Sequence, residues 1–162
     1  MPRISAILHT HNDARRLGRA LETLRPCDEI LIVDSGSSDD TLAIARQYAA
    51  RVILPPQEAA SALTPLALIL AYASHDWLLF LSARESLSEL LEAELYEWRL
   101  SDPNAAAFAM PVREQLAEHT WQVRAPEARL LHRECLVEQP GQADPGFPAL
   151  PLQGAILRFH FP

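Results

Sequence analysis

Apolar and polar positions alternate along the first hundred residues in two rhythms, one of strands and one of helices. Residues 4–9 are a short aliphatic run and predict a buried strand. Behind them Leu17, Ala20, Leu21 and Leu24 fall at i, i+3, i+4 and i+7, the apolar stripe of a helix over about 13–24. Asn12 is its expected N-cap, since a side-chain oxygen there can take an orphan backbone N–H, and Pro26 is its stop. Residues 29–33 predict a second strand, 41–49 a second helix, and 51–54 a third strand stopped by Pro55 and Pro56. Thr64 and Pro65 read as N-cap and first position of a third helix, where a missing N–H costs nothing. Its body, residues 66–73, is apolar all round and is expected to be buried. Residues 77–81 predict a fourth strand. Ser86 and Glu89 have the spacing of a capping box for a fourth helix, with Leu87, Leu90, Leu91, Leu95 and Trp98 as its stripe and a break at Asp102 and Pro103.

Strand and helix in regular alternation imply a mostly parallel α/β sheet with helices on both faces. Ligands of such sheets sit beyond the C-terminal strand ends, at the topological switch. After Asn104 the rhythm changes. Residues 106–112, 120–124, 128–133 and 155–161 predict strands joined by Pro-rich connections without clear helices, so the last third is expected to be irregular and β-rich.

Length and charge narrow the picture. The chain of 162 residues suits one domain, and it carries 14 Lys+Arg against 21 Asp+Glu, a formal net charge of −7. That balance argues against non-specific nucleic-acid binding, which needs a cationic face. Cys27 and Cys135 make neither a disulfide framework nor a metal knuckle and are expected to be reduced thiols of a cytoplasmic protein. No secretory leader and no transmembrane segment is expected, because the longest apolar run, 66–73, is too short to cross a bilayer.

The candidate chemistry lies at strand tips. The first strand ends in Thr10, His11, Asn12 and Asp13, and the second in Asp34, Ser35, Gly36, Ser37, Ser38, Asp39, Asp40 and Thr41. Taken alone, either segment reads as a helix cap and a turn. Together with the fourth strand, ILHTHND, DEILIVDSGSSDDT and HDWLLFLSARE stand in the order and register of T-x-N-E, DEIIVVDSGSTDGT and GDWILFLDADE. The chain therefore resembles the family 2 glycosyltransferases of GT-A fold, over about residues 4–100. PEARLLHR at 126–133 and GAILRFH at 154–160 look like the late strands of lipopolysaccharide-core-type members. The resemblance implies one GT-A-like domain over 1–162, with a nucleotide-binding half at 1–100 and an acceptor-side half at 101–162. It also implies that Thr10, Asn12, Asp13, Asp34 and Asp39 line the pocket for the uridine-type nucleotide of a donor sugar, with His11 between them.

Departures from that pattern redirect the expectation. The family's Asp-x-Asp pair binds Mn²⁺ or Mg²⁺, which offsets charge on the departing diphosphate. Here Ser82 and Arg84 hold those places and Glu85 alone is kept, so no metal is expected. Leu66 and Ala67 stand where the family has a basic residue and Asn on the diphosphate. Leu136, Val137 and Glu138 are the nearest match to a late V-H-E, making Glu138 the candidate catalytic base. These changes predict a degenerate, non-catalytic member with at most a remnant nucleotide pocket. One alternative is an active, metal-independent inverting transferase using a UDP-type donor, in which Arg84 supplies the charge of the metal. Another is a protein-interaction module or homodimer on this scaffold, using the apolar helix 66–73 if it is exposed.

Weaker patterns do not compete. His9 and His11 share a strand face and could be half of a metal site, with Asp34 or His160 as third ligand, though a polar strand tip suffices to explain them. Ser35 is not in a G-x-S-x-G elbow. Asp34 and Asp39 lack the D-x-D nucleophile of haloacid-dehalogenase-type phosphoryl transfer. Trp77, Trp98 and Trp121 are too scattered for a stacking platform and are expected to pack.

Overall fold

The computed structural model describes residues 1–55, 65–138 and 148–162, and for Pro65 and Glu138 the backbone alone. Thr64 and Pro56, expected as cap and strand stop, lie outside the described residues. The order is β1 (Ile4–Thr10), α1 (Ala14–Glu22), β2 (Glu29–Asp34), α2 (Thr41–Gln47), β3 (Arg51–Ile53), α3 (Pro65–Tyr72), β4 (Trp77–Ser82), β5 (Glu85–Leu87), α4 (Glu89–Trp98), β6 (Ala107–Ala117), β7 (Thr120–His132), α5 (Arg133–Glu138), β8 (Leu150–Pro151) and β9 (Ile156–Arg158).

These strands form one mixed sheet in the order β3-β2-β1-β4-β7-β6-β9-β5, with β8 beside β6. β3, β2, β1 and β4 run parallel, while β7 is antiparallel to both β4 and β6. The chain reverses its winding between β1 and β4, so the crevice beyond their C-terminal ends is the expected ligand position. Alternation along β1 splits the core. Ile4, Ala6 and Leu8 face one cluster with Leu17 and Leu21 of α1 and Leu91 and Leu95 of α4. Ile7 faces the other, with Ile69 and Ala73, so α3 covers the opposite face. No described helix is long and apolar enough to cross a membrane.

Several expectations are corrected. α3 is not buried all round: Leu68 and Ile69 are buried, but Tyr72 is 48% exposed, because one side of this helix meets the sheet and the other meets none of it. The fourth helix begins later than expected. Residues 85–87 pair with β9 as β5, and Ser88, not Ser86, is the N-cap, its hydroxyl accepting from the Leu91 N–H at 3.2 Å. That shift leaves Leu90 exposed and puts Leu87 in a strand. Asn12 is not the cap of α1. Asp13 holds that position without a side-chain capping bond, and Asn12 instead adopts a left-handed φ of 53°. In the last third, the two runs expected at 120–124 and 128–133 are one strand, β7, with residue 133 opening α5. Pro126 does not break it, since the register against β6 shifts between Met110 and Val112 and the ladder skips its missing N–H.

Candidate functional site

Two loops, at the tips of β1 and β2, are knitted together. The Asn12 N–H donates to Ser37 Oγ at 2.8 Å, and Asn12 Oδ1 accepts from the Ser38 N–H at 2.8 Å. The Asp13 N–H donates to Thr41 Oγ1 at 2.8 Å. Asp39 joins both helix starts: one carboxylate oxygen accepts the Ala14 N–H of α1 at 3.1 Å and the other the Thr41 N–H of α2 at 3.0 Å. One carboxylate thus takes the place of a side-chain cap in both helices, accepting the first orphan donor of each. Thr41's hydroxyl and these amides hold the Asp39 carboxyl below the ordinary value, against a smaller opposing effect of desolvation.

Asp34 is fully buried between the loops. Its Oδ1 accepts from Thr10 Oγ1 at 2.7 Å and Ser37 Oγ at 2.6 Å, and its Oδ2 from the Gly36 and Ser37 amides at 2.9 and 2.8 Å. Burial pushes its carboxyl up, but the Ser37, Thr10 and Gly36 bonds outweigh this and hold it low. A carboxylate offers about four lone-pair sites. All are therefore turned toward the loop, which bends through Gly36 at φ 86°. Thr10, Asn12, Asp13, Asp34 and Asp39 are thus brought together, with His11 exposed among them.

The tip of β4 carries a different chemistry. Ser82 donates its N–H to Glu85 Oε2 at 2.9 Å. Glu85 is 2% exposed and accepts a two-pronged pair from Arg129 of β7, 3.0 Å to each oxygen. Arg158 of β9 adds its Nε at 3.0 Å. Burial pushes the Glu85 carboxyl up; Arg129 first, then Ser82 and Arg158, bring it below the usual range. Both arginines continue to Glu127, and Arg158 approaches Glu114, which also meets Arg124 and, at 2.8 Å, His160. Arg84 stands exposed in the turn before β5 and pairs with no carboxylate among the described residues. A hard dication seeks several anionic oxygens. At this tip it meets a neutral hydroxyl, a guanidinium and a carboxylate already neutralised by two arginines, so these residues do not fit one. No group of three or more His, Cys, Asp and Glu is gathered for a metal among the described residues, so His9 and His11 gain no third ligand there: Asp34 serves its loop and His160 serves Glu114.

Leu66 and Ala67 lie half-buried on the first turn of α3. The side chain of Glu138, at the end of α5, lies outside the described residues. Sequence reasoning missed the network around Glu85. Its signal was present in the two late segments quoted above, which carry Arg129 and Arg158, but only pairing of β7 and β9 on either side of β6 turns both toward one carboxylate.

Comparison with known proteins bears on the family and the fold. The sequence model of glycosyl transferase family 2 matches residues 5–142. An uncharacterized glycosyltransferase of Rickettsia felis is 40% identical over 96 residues, 59% of this chain and 33% of that protein. The lipopolysaccharide core biosynthesis glycosyltransferase LpsC of Rhizobium meliloti is 44% identical over 45 residues, 28% of this chain and 17% of that protein. Among solved structures, residues 1–349 of S. aureus TarS in complex with UDP superpose with a TM-score of 0.64 at 16% identity, covering 84% of this chain and 48% of that one. The mannosyltransferase PcManGT of Pyrobaculum calidifontis, in complex with GDP-Man and Mn²⁺, gives 0.65 at 19% identity, covering 97% and 56%. The chain spans about a third of the length of the first Rickettsia relatives it matches.

Proposed function

Since this chain belongs to glycosyl transferase family 2, we propose that it is a GT-A domain that keeps the nucleotide side of the fold and has exchanged metal-assisted diphosphate binding for an arginine–carboxylate network. In this reading the domain transfers no sugar by itself. The observation that carries it is Glu85: held by Arg129, Arg158 and the Ser82 amide, it has no lone pair to give a dication. TarS is solved with UDP and PcManGT with GDP-Man and Mn²⁺. By analogy of fold, a nucleoside diphosphate is the ligand class for the cradle of Thr10, Asn12, Asp13, Asp34 and Asp39. Asp34 and Asp39 act there by shaping the loops, since their oxygens already serve loop and helix amides. The two halves at 1–100 and 101–162 take the nucleotide and acceptor sides. Reduced thiols at Cys27 and Cys135 support a cytoplasmic setting.

One observation favours a second reading, metal-independent transfer. Arg84 is an exposed cation at the tip of β4 with no ion pair among the described residues, where fixed positive charge can face a diphosphate. Calorimetric titration with UDP, in chelator and in Mn²⁺, tests both. The expected result is binding that is equal in the two buffers, weakened by Arg84→Ala, with no UDP-sugar turnover in either. Binding that requires Mn²⁺ would refute the proposal, and turnover in chelator would favour the second reading.

A further inference from the structure

Toward their turn, β6 and β7 leave the rest of the sheet as a hairpin. β4 pairs with β7 only along residues 130–132, and β9 pairs with β6 along 112–114. Residues 120–127 of β7 therefore have β6 on one side and, among the described residues, no strand on the other. The register shift between Met110 and Val112 puts Ala125 and Pro126 out of the ladder, so the regular part of this free edge is residues 120–124. An unpaired edge presents a row of N–H and C=O groups to any further strand, and charged side chains normally blunt it. Here its middle, Trp121, Gln122 and Val123, carries no charge, and Val123 is 68% exposed. Trp121 is held by Phe159, edge-on at 5.2 Å, and by the Arg113 guanidinium, 5.8 Å from the ring centroid. Both neighbours lie on the β6 side, so the indole is fixed in place beside the open edge.

We propose that this edge pairs with the same edge of a second copy of the chain, antiparallel about a twofold axis at Gln122. A closed dimer needs a surface complementary to itself. Residues 120–124 provide one. About Gln122, Trp121 of each copy stands opposite Val123 of the other, and aromatic against β-branched is a favoured cross-strand pair. Gln122 meets its own copy, and a primary amide both donates and accepts. Arg124 stands opposite Thr120, so no like charges oppose each other. Diagonal to Arg124 comes Glu118 in the turn of the second copy. Glu118 is exposed and has no ion pair among the described residues, and Arg124 is exposed even in its pair with Glu114. A twofold at Val123 would instead set Trp121 against Ala125 in the bulge. Pro126, with no N–H to give, closes the ladder beyond it. The pairing goes beyond the nucleotide cradle and does not depend on it.

Sedimentation of the full chain over a concentration series tests this. A reversible monomer–dimer equilibrium is expected. Val123→Asp, at an exposed position outside the core, should weaken it about tenfold, through loss of two symmetric Trp–Val pairs. Cross-linking reads the register without adding charge. Directly opposed residues of antiparallel strands have Cα atoms about 4.5–5.5 Å apart, within reach of a disulfide. Gln122→Cys should therefore give a disulfide-linked dimer on mild oxidation, with the unsubstituted chain as blank. Ala125→Cys should not, because six residues of strand at about 3.4 Å each set it about 20 Å from its own copy. A monomer at every concentration, a dimer unmoved by Val123→Asp, no cross-link through Gln122→Cys, or equal cross-linking through both cysteines would overturn the proposal.

Discussion

Glu85 shows how one side chain changes the chemistry of a strand tip. It is the carboxylate that the sequence preserves where the family binds a metal, yet in the fold it is the centre of an ion network. Removing one partner of a buried ion pair leaves uncompensated charge and costs about 3–5 kcal/mol. Glu85→Gln removes the buried anion between Arg129 and Arg158 and leaves them only the more exposed Glu127 in common, and is expected to lower the free energy of urea unfolding by roughly 3 kcal/mol. A loss below about 1 kcal/mol, the scale of an exposed pair, would show that the network is not needed for stability. Asp39 makes the same point at the nucleotide side. Its spacing from Asp34 reads as loop chemistry, and only the approach of α1 to α2 makes it the acceptor for the first turns of both helices.

At the scale of elements, the last strand and the fourth helix fit through a single missing side chain. A Cβ on Gly154 would stand 2.3 Å from the Leu91 Cα, inside the backbone of α4. The approach is fixed by the helix start itself: Glu94 accepts the Gln153 and Gly154 amides, and Ser88 Oγ accepts the Ala155 amide at 3.1 Å. Backbone against backbone has little room to yield. Gly154→Ala is expected to destabilise by about 1–3 kcal/mol or more, measured as a fall in melting temperature, with loss of the Ser88 cap as a second consequence. The glycine's place in GAILRFH was legible in the sequence as part of a late strand. Its reason was not, because Leu91 is 63 residues away in the chain. The elements that were misjudged share this cause. β5 exists because β9 pairs with it, and α3 has an exposed side because the sheet covers one face of it only.

For the whole molecule, acid stability follows from how the parallel strands are tied at their N-terminal ends. Glu29 opens β2 and accepts from Ser5 of β1 at 2.6 Å, Arg51 of β3 at 2.6 Å and the Ser74 amide before β4 at 2.8 Å. Burial pushes its carboxyl up, but these bonds take it from 4.5 down to about 2. A carboxyl lowered on folding contributes stability that is complete above its unfolded value and is lost as pH falls toward its folded one. Stability should therefore decline between pH 4.5 and about 2, and Glu29→Gln should flatten that stretch of the curve; an unchanged slope would contradict the assignment. The sequence by itself determined the alternation of β1 to β4 with their helices, the family, and the gathering of Thr10, Asn12, Asp13, Asp34 and Asp39 at adjacent tips. Each of those follows from local periodicity, or from loops that succeed neighbouring strands and so lie side by side. Only the tertiary structure decided that Asp34 and Asp39 spend their oxygens on the loops and that Glu85 is held by Arg129 and Arg158. Those partners lie 44 and 73 residues from Glu85 along the chain. A hydrogen bond is set by a few ångströms of position and by direction, and no repeat in the sequence encodes that across such separations.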